Sequence, residues 1–259
     1  QMCIRDRGTD SDRLRRERRR GLMRSTVLMG ALIAVLGATG WILAGAAGLV
    51  TALGAGVLAT ALASTASSRS TMSNSRAREL TFADAPELHH MVRLLSERAD
   101  LDVLPSLHYV ASPSLNAFTT GSRHDSAIAV SDGLLRTLNR RELLAVLAHE
   151  VSHVRNGDTR ILSTAAVFTR VTHLLSGVGQ VLLVANLPLL LLGAEPIGLI
   201  PIAVLVLAPV LSGLLHLAVS RNREFAAYIG SVTLTGDAAG LADALEKLYR
   251  TNLSWKTLS

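Results

Sequence analysis

The stretch LLAVLAHEVSHVRNGD, Leu143 to Asp158, decides how the rest of the chain is read. His149 and His153 are four residues apart, so on a helix both imidazoles project from one face, one turn apart. Glu150 lies beside them, within reach of a water on a metal that the two histidines share. Two histidines at this spacing with a glutamate between them form the H-E-x-x-H arrangement of zinc hydrolases, in which the glutamate is the general base. So short a pattern also arises by chance, and its surroundings have to behave as the chemistry requires.

Those surroundings predict a bounded helix. Asn139, followed three residues later by Glu142, is a variant of the capping box. Leu143, Leu144, Leu147, Val151 and Val154 form a buried stripe, and Gly157 takes the usual C-cap role. Upstream, Asp84-Ala85-Pro86-Glu87 predicts another helix start, with Asp84 as the cap and an apolar face running to about Arg98. Leu107–Val110, Asn116–Gly121 and Ala127–Val130 are predicted strands. A turn is expected around Gly121–Asp125 and a short helix over Asp132–Leu138. The expectation is a small α+β domain whose strands precede the metal helix.

The flanks are of another kind. Of 259 residues, 49% are hydrophobic, yet only four are Phe, three Tyr and two Trp. Such Ala-, Leu-, Val- and Gly-rich mass suits closely packed helices in lipid. Ser25 to Ser68 holds no charged residue, which is enough for two spans with a turn at Ala44–Gly48. Val171–Ala194 and Pro196–Ser220 are likewise uncharged and form a second predicted hairpin, with Gly193–Pro196 as its far turn. Pro188, Pro201 and Pro209 are expected to kink these helices. The fold class expected is mainly α, an integral membrane protein with four transmembrane helices in two hairpins and a small α+β zincin-like catalytic domain. The segments are a basic tail (1–24), hairpin one (25–68), the zinc domain (69–170), hairpin two (171–220) and a C-terminal part (221–259).

The net charge of +6 is almost all arginine and lies beside the apolar runs, which favours a lipid bilayer over nucleic acid as partner. Arg13, Arg15, Arg16, Arg18, Arg19, Arg20 and Arg24 read as a positive-inside anchor or as a solvated tail. The apolar run after them is too long for a secretory signal peptide. Every arginine falls in the tail, in 69–170 or in 221–259, which four spans put on one side. The positive-inside rule places that side, and the site, in the cytoplasm. The single cysteine, Cys3, excludes an internal disulfide and fits a reducing compartment. The opening QMCIRDR reads as an assembly scar, and the ending NLSWKTLS as a C-terminal truncation.

Two histidines and a water leave a zinc ion short of one protein ligand. Glu224 is the first carboxylate after Glu195, on a helix leaving the membrane on the matching side. Taken alone, it reads equally as a surface glutamate paired with Arg221 or Arg223.

From about residue 25 to 248 the chain resembles the HtpX-type membrane zinc metalloproteases, relatives of the CAAX prenyl endopeptidases. The resemblance is carried by Leu115-Asn116-Ala117-Phe118 with Gly121, by Leu147-Ala148-His149-Glu150-Val151-Ser152-His153 with Asn156 and Asp158, by Ser220-Arg221-Asn222-Arg223-Glu224-Phe225, and by Leu234-Thr235-Gly236-Asp237. It implies one zinc ion per chain, held by His149, His153 and Glu224, with Glu150 activating water. It also implies polypeptide substrates, misfolded or damaged membrane proteins among them, in quality control and stress response at the cell inner membrane. The family's usual aspartate four residues after the ligand glutamate is Tyr228 here, and its His-Pro-Pro region near the C-terminus is absent. An aspartate so placed would orient a ligand histidine.

Asn116, Ala117 and Phe118 are expected to form an edge strand that binds extended substrate by backbone pairing, or else a plain structural strand. Arg221 reads as a substrate or oxyanion contact, or as a juxtamembrane anchor. Asn156 and Asp158 read as groups behind the ligands or as the helix-end cap, the cap being preferred. His89, His90, His108 and His124 are expected to face solvent or to be hydrogen-bonded, and His173 and His216 to lie at the membrane border. The competing functions are a zinc-binding pseudoprotease or membrane scaffold, which Tyr228 suggests, and a small transporter with an incidental motif. Against the transporter, the ionisable residues gather at the border rather than mid-membrane.

Overall fold

A computed structural model describes residues 3–64, 72–73, 75–192 and 199–258, with the side chains of 3–15, 17–18, 63–64, 186–187, 189–190, 199–200 and 251–258 excepted. The expected far turn Gly193–Pro196, the expected end of the first apolar run at 65–68, and the side chains of Cys3, Arg13, Arg15 and Arg18 lie outside the described residues. In chain order the elements are α1 (Cys3–Ser64), β1 (Arg78–Glu79), α2 (Pro86–Arg98), β2 (Ser106–Val110), β3 (Ala117–Ser122) and β4 (Asp125–Ser131). There follow α3 (Asp132–Thr137), α4 (Arg140–Asn156), α5 (Asp158–Leu191), α6 (Leu199–Thr235) and α7 (Ala238–Leu258). The chain divides into one unit of Gln1–Thr65 with Ile161–Asn222, and another of Ala66–Arg160 with Arg223–Ser259.

The first unit is helical. Three helices are long and apolar enough to cross a bilayer, Arg19–Leu62, Asp158–Ala185 and Pro201–Thr235, where the sequence predicts four spans. The difference lies in α1, which runs as one helix through a break at Ala44 (φ −147°, ψ 27°) and Gly45 (φ 58°, ψ −140°). Gly37 lies against Leu49 and Leu53, and the backbones of Gly40 and Gly48 meet. In a straight helix residues 37 and 53 would be about 24 Å apart, so the chain reverses at the break. Leu32, Leu36, Ala52, Ala165, Phe168 and Val219 form this unit's core. Leu58, Leu62, Leu174, Val181, Leu207 and Leu214 point outward and are exposed, as lipid-facing residues would be. Buried hydroxyls such as Thr39 and Thr172 donate to Val35 and Phe168 carbonyls in the preceding turn and so carry no unmet polarity.

The second unit is built on a four-stranded sheet in the order β1-β2-β4-β3, with β2 parallel to β4 and the other pairs antiparallel. Successive side chains of β4 point to opposite faces. Ile128 and Val130 join Leu107, Leu88, Leu95, Leu147 and Val151 in the main core. Ala127 and Ala129 pack with Met72 and Phe118 on the other face. Both faces of β4 are therefore covered, which is why it is buried from Ser126 to Ser131. β1 was not predicted; its two residues show no burial pattern to read.

α2 begins at Pro86, but not by the expected cap. The N-cap residue is Ala85, without a side-chain bond, because the Asp84 carboxylate instead accepts from the Thr81 N–H (2.9 Å) and hydroxyl (2.8 Å). α4 has its capping box: Asn139 accepts from the Glu142 N–H at 3.0 Å, and Glu142 accepts from the Asn139 N–H at 2.9 Å. Gly157, at φ 66°, closes the helix in the left-handed region where an L side chain is strained.

From Arg223 on, α6 packs across α4. Gly230 lies against Ser152 so closely that a methyl group there would strike the serine side chain. Ser231 donates to the Ala145 carbonyl at 2.7 Å, and Arg98 donates to the Leu234 carbonyl at 2.8 Å. Arg141, on the first turn of α4, holds Asp237 through two bonds of 2.5 and 2.7 Å. That guanidinium, with the Gly240 N–H, lowers the Asp237 carboxyl to about 2. A carboxyl so depressed keeps its charge in acid, and the link between α4 and the α6–α7 turn is lost only as pH falls through that value.

Candidate metal centre

α4 presents His149 and His153 on one face, and the packing at Gly230 and Ser231 brings Glu224 of α6 opposite them. The His149 and His153 Nε2 atoms are 3.1 Å apart. Glu224 places Oε2 at 3.3 Å from His149 Nε2 and Oε1 at 3.8 Å from His153 Nε2. Among the described residues this is the group of three whose ligand atoms all lie within 4.8 Å of one another. Zinc–nitrogen and zinc–oxygen bonds of ~2.0–2.1 Å at tetrahedral angles put neighbouring ligand atoms about 3.3 Å apart. Two imidazole nitrogens and a carboxylate at these separations fit a zinc ion with one position left open.

The shell behind the ligands is uneven. His153 Nδ1–H donates to Asp158 Oδ2 at 2.7 Å, which fixes the tautomer and leaves Nε2 with a lone pair for a metal. Asp158 Oδ1 takes the guanidinium of Arg223. Asp158 and Arg223 are 1% and 2% exposed, so the pair is sealed from water. Burial alone would lower the His153 pKa, but the Asp158 hydrogen bond and the charges of Glu150, Asp158 and Glu224 outweigh it and raise the value. His149 has no such support. Its Nδ1 is buried without a hydrogen-bond partner. Tyr228 lies against the His149 ring, with centroids 4.8 Å apart and planes tilted by 31°.

Glu150 is buried on α4. Thr119 Oγ1 donates to its Oε2 at 2.7 Å and lies 3.3 Å from its main-chain carbonyl. β3 is an edge of the sheet, and Ala117, Thr119 and Gly121 alternate onto the face toward α4. Thr119 therefore pins the carboxylate without neutralising it. Thr119→Val keeps the shape and removes the donor, and is expected to lower kcat about 10-fold at unchanged metal content, in line with a lost ~1.5 kcal/mol bond to a charged group. Thr119→Ser is expected to restore most of it, as measured by steady-state cleavage of a quenched peptide.

The other sequence-named residues are placed as follows. Asn116 and Ala117 line a cavity with His149, Glu150 and Tyr228. The Phe118 side chain packs with Met72, Ala127 and Ala129 on the far face of the sheet, so only its backbone is offered at the edge. Arg221 is exposed, and Asn156 is half-buried in the last turn of α4. Asp158, for which helix capping was preferred, faces back onto His153 instead. Arg223 was read as a surface partner of Glu224; it is buried and serves Asp158. Sequence reasoning missed Thr119 altogether, although the period-two alternation from Ala117 marks it as facing the helix. His89 Nε2 meets the Leu80 carbonyl at 2.9 Å. His108, expected in solvent or in a hydrogen bond, is buried on β2 with Nδ1 unpartnered.

Comparison with known proteins points the same way. The family described as "Peptidase family M48" matches residues 82–256. A "Protease HtpX homolog" of Streptococcus pyogenes serotype M28 is 36% identical over 245 residues, covering 86% of this chain and 78% of the relative. A protein of the same name from Streptococcus pyogenes serotype M6 is 35% identical over 255 residues, covering 90% and 82%. One from Streptococcus agalactiae serotype Ia is 36% identical over 234 residues, covering 86% and 79%.

Proposed function

The chain belongs to peptidase family M48, and from that premise we propose that it is a zinc-dependent endopeptidase of the cell membrane. M48 peptidases are metallopeptidases, so the chain is a protease acting on polypeptides, and its apolar helices suit a bilayer. The observation that carries the finer reading is the convergence of His149 Nε2, His153 Nε2 and the Glu224 carboxylate beside a buried Glu150.

In this proposal one zinc ion sits on His149, His153 and Glu224. When bound it supplies Lewis acidity, making a water deprotonable near neutral pH and drawing electron density from a peptide carbonyl. Glu150 takes the proton from the attacking water and returns it to the leaving amine as the C–N bond breaks. Thr119 holds Glu150 in the rotamer that can do both. Asp158, anchored by Arg223, holds the His153 ring. The free edge of β3, from Ala117 on, binds an extended substrate through its backbone. Arg221 serves as a substrate contact or a border anchor.

The membrane part is proposed to cross four times. α1 supplies two crossings through its break at Ala44–Gly45, and α5 and α6 supply one each. The arginine distribution then puts the site in the cytoplasm of a multi-pass cell-membrane protein. Misfolded or damaged membrane proteins are the proposed substrates, with quality control as the role.

Glu224→Ala tests the ligand set. The purified variant is expected to hold less than about a tenth of the wild-type zinc, as loss of a ligand should cost more than the 10–100-fold of a supporting group. Casein cleavage should disappear with the metal. Unchanged zinc in Glu224→Ala removes this residue from the site. The pseudoprotease or scaffold alternative draws on Tyr228 and the unsupported Nδ1 of His149. Wild-type protein that holds zinc and cleaves neither casein nor itself would favour it.

A further inference from the structure

We propose that the cavity beside His149 and Glu150 is a pocket for one apolar side chain of the substrate, belonging to a residue that flanks the bond to be cut. The proposal rests on the peptidase reading above and names the substrate feature which that site selects. The cavity measures ≈ 140 Å³. Its walls are apolar and come from three directions: Leu134, Val146 of α4, and Leu241, Leu245 and Leu248 along one side of α7. His149 and Glu150 are part of the same lining, so whatever fills the cavity lies next to the reacting centre.

Size and polarity both restrict the occupant. An apolar cavity of about 150 Å³ holds a benzene-sized group and stays dry when empty. A cavity of ≈ 140 Å³ therefore suits side chains from leucine to phenylalanine and is too small for tryptophan. Glu150 is the only carboxylate in the lining and there is no lysine or arginine, so an acidic side chain meets a like charge without a counter-ion. Lysine or arginine would have to bury its charged end among leucines.

The edge strand supplies the register. A peptide paired along β3 sends every second side chain toward α4, the face on which Ala117 and Thr119 lie. Ala117 also lines the cavity, and Thr119 holds Glu150. One substrate side chain thus enters the pocket while its own backbone passes the general base. The sequence supports the same division of labour, since Leu241, Leu245 and Leu248 recur at helical spacing with no other role in the site.

The test uses the full-length protein in detergent micelles and peptides that differ only at the two positions flanking the scissile bond. Wild type is expected to cleave peptides with Leu, Ile, Met or Phe at one of these positions at least about 10-fold more efficiently, in kcat/KM, than those with Gly, Asp or Lys. Leu245, which is 37% exposed, can be enlarged without disturbing the core. Leu245→Trp, which fills the pocket, is expected to shift the preference to Gly and Ala. Leu248→Trp should do the same. Binding of the same peptides to Glu150→Gln, followed by fluorescence anisotropy, should give the same ranking without turnover. Equal cleavage of all peptides by wild type overturns the proposal, as does a preference that neither tryptophan variant alters. If wild type cleaves nothing, yet Glu150→Gln binds the Leu peptide at least about 10-fold tighter than the Gly peptide and Leu245→Trp abolishes the difference, the pocket stands and the peptidase reading fails. Without cleavage and without ranked binding, both fail.

Discussion

Glu150→Gln is expected to abolish cleavage while leaving the metal in place. A positioned general base contributes about 10²–10⁴-fold, and glutamine can accept no proton, so a loss of at least about 10³-fold in kcat is expected. The fold should survive. The glutamine oxygen can still accept the Thr119 hydroxyl, which now donates at 2.7 Å. No lysine or arginine is paired with Glu150 in the structure, so the change strands no cation. The metal should survive too, since the atoms that converge belong to His149, His153 and Glu224. Glu150→Asp keeps the charge but withdraws it by one methylene. It is expected to lose about 10²-fold, the cost of a misplacement near 1 Å. Zinc content by mass spectrometry and peptide hydrolysis on the same preparations check both. Loss of zinc together with activity in Glu150→Gln would show that the glutamate is a ligand rather than a base.

The parts of the site that sequence revealed are those governed by local rules. His149 and His153 share a face because their spacing matches the helical period. The helix itself is announced by Asn139, Glu142 and Gly157, each of which acts within a turn. Glu224 was reachable through chain order and charge, although it lies 75 residues beyond His149. What escaped needs tertiary geometry. Thr119 matters only once β3 is known to be the edge strand lying against α4. Arg223 and Asp158 are 65 residues apart and meet inside the second unit. A basic residue beside a ligand glutamate gives no sign of which way it will turn. Asp84 failed for a different reason: capping and turn formation compete for one carboxylate, and the nearby Thr81 offers two donors. The apolar runs were legible as lipid-suited helix, whereas their division was not, because the break at Ala44–Gly45 leaves α1 a single long element.

Asp158→Asn is expected to damage both the fold and the metal site, and the two effects can be separated. The carboxylate joins His153 Nδ1 on one oxygen and Arg223 on the other, with all but 1% of it hidden. Neutralising it leaves the Arg223 guanidinium buried without a counter-charge. Removing one partner of such a pair costs about 3–5 kcal/mol, a large share of the 5–15 kcal/mol typical of a folded domain. The His153 ring also loses a charged acceptor, and outer-shell changes of this kind weaken metal binding about 10–100-fold. In Arg223→Met the stranded group is the carboxylate, which still has the His153 N–H, so a smaller loss of stability is expected. The double variant Asp158→Asn with Arg223→Met carries no buried charge at this place, and should recover stability relative to Asp158→Asn alone. It should not recover metal affinity, because the charged acceptor behind His153 is still gone. Thermal unfolding of the metal-free proteins, set against zinc competition with a chelator, gives the coupling of the pair in each quantity. Equal recovery of both would mean that Asp158 acts on the metal only by keeping the unit folded; recovery of stability alone would show that it also holds the ligand.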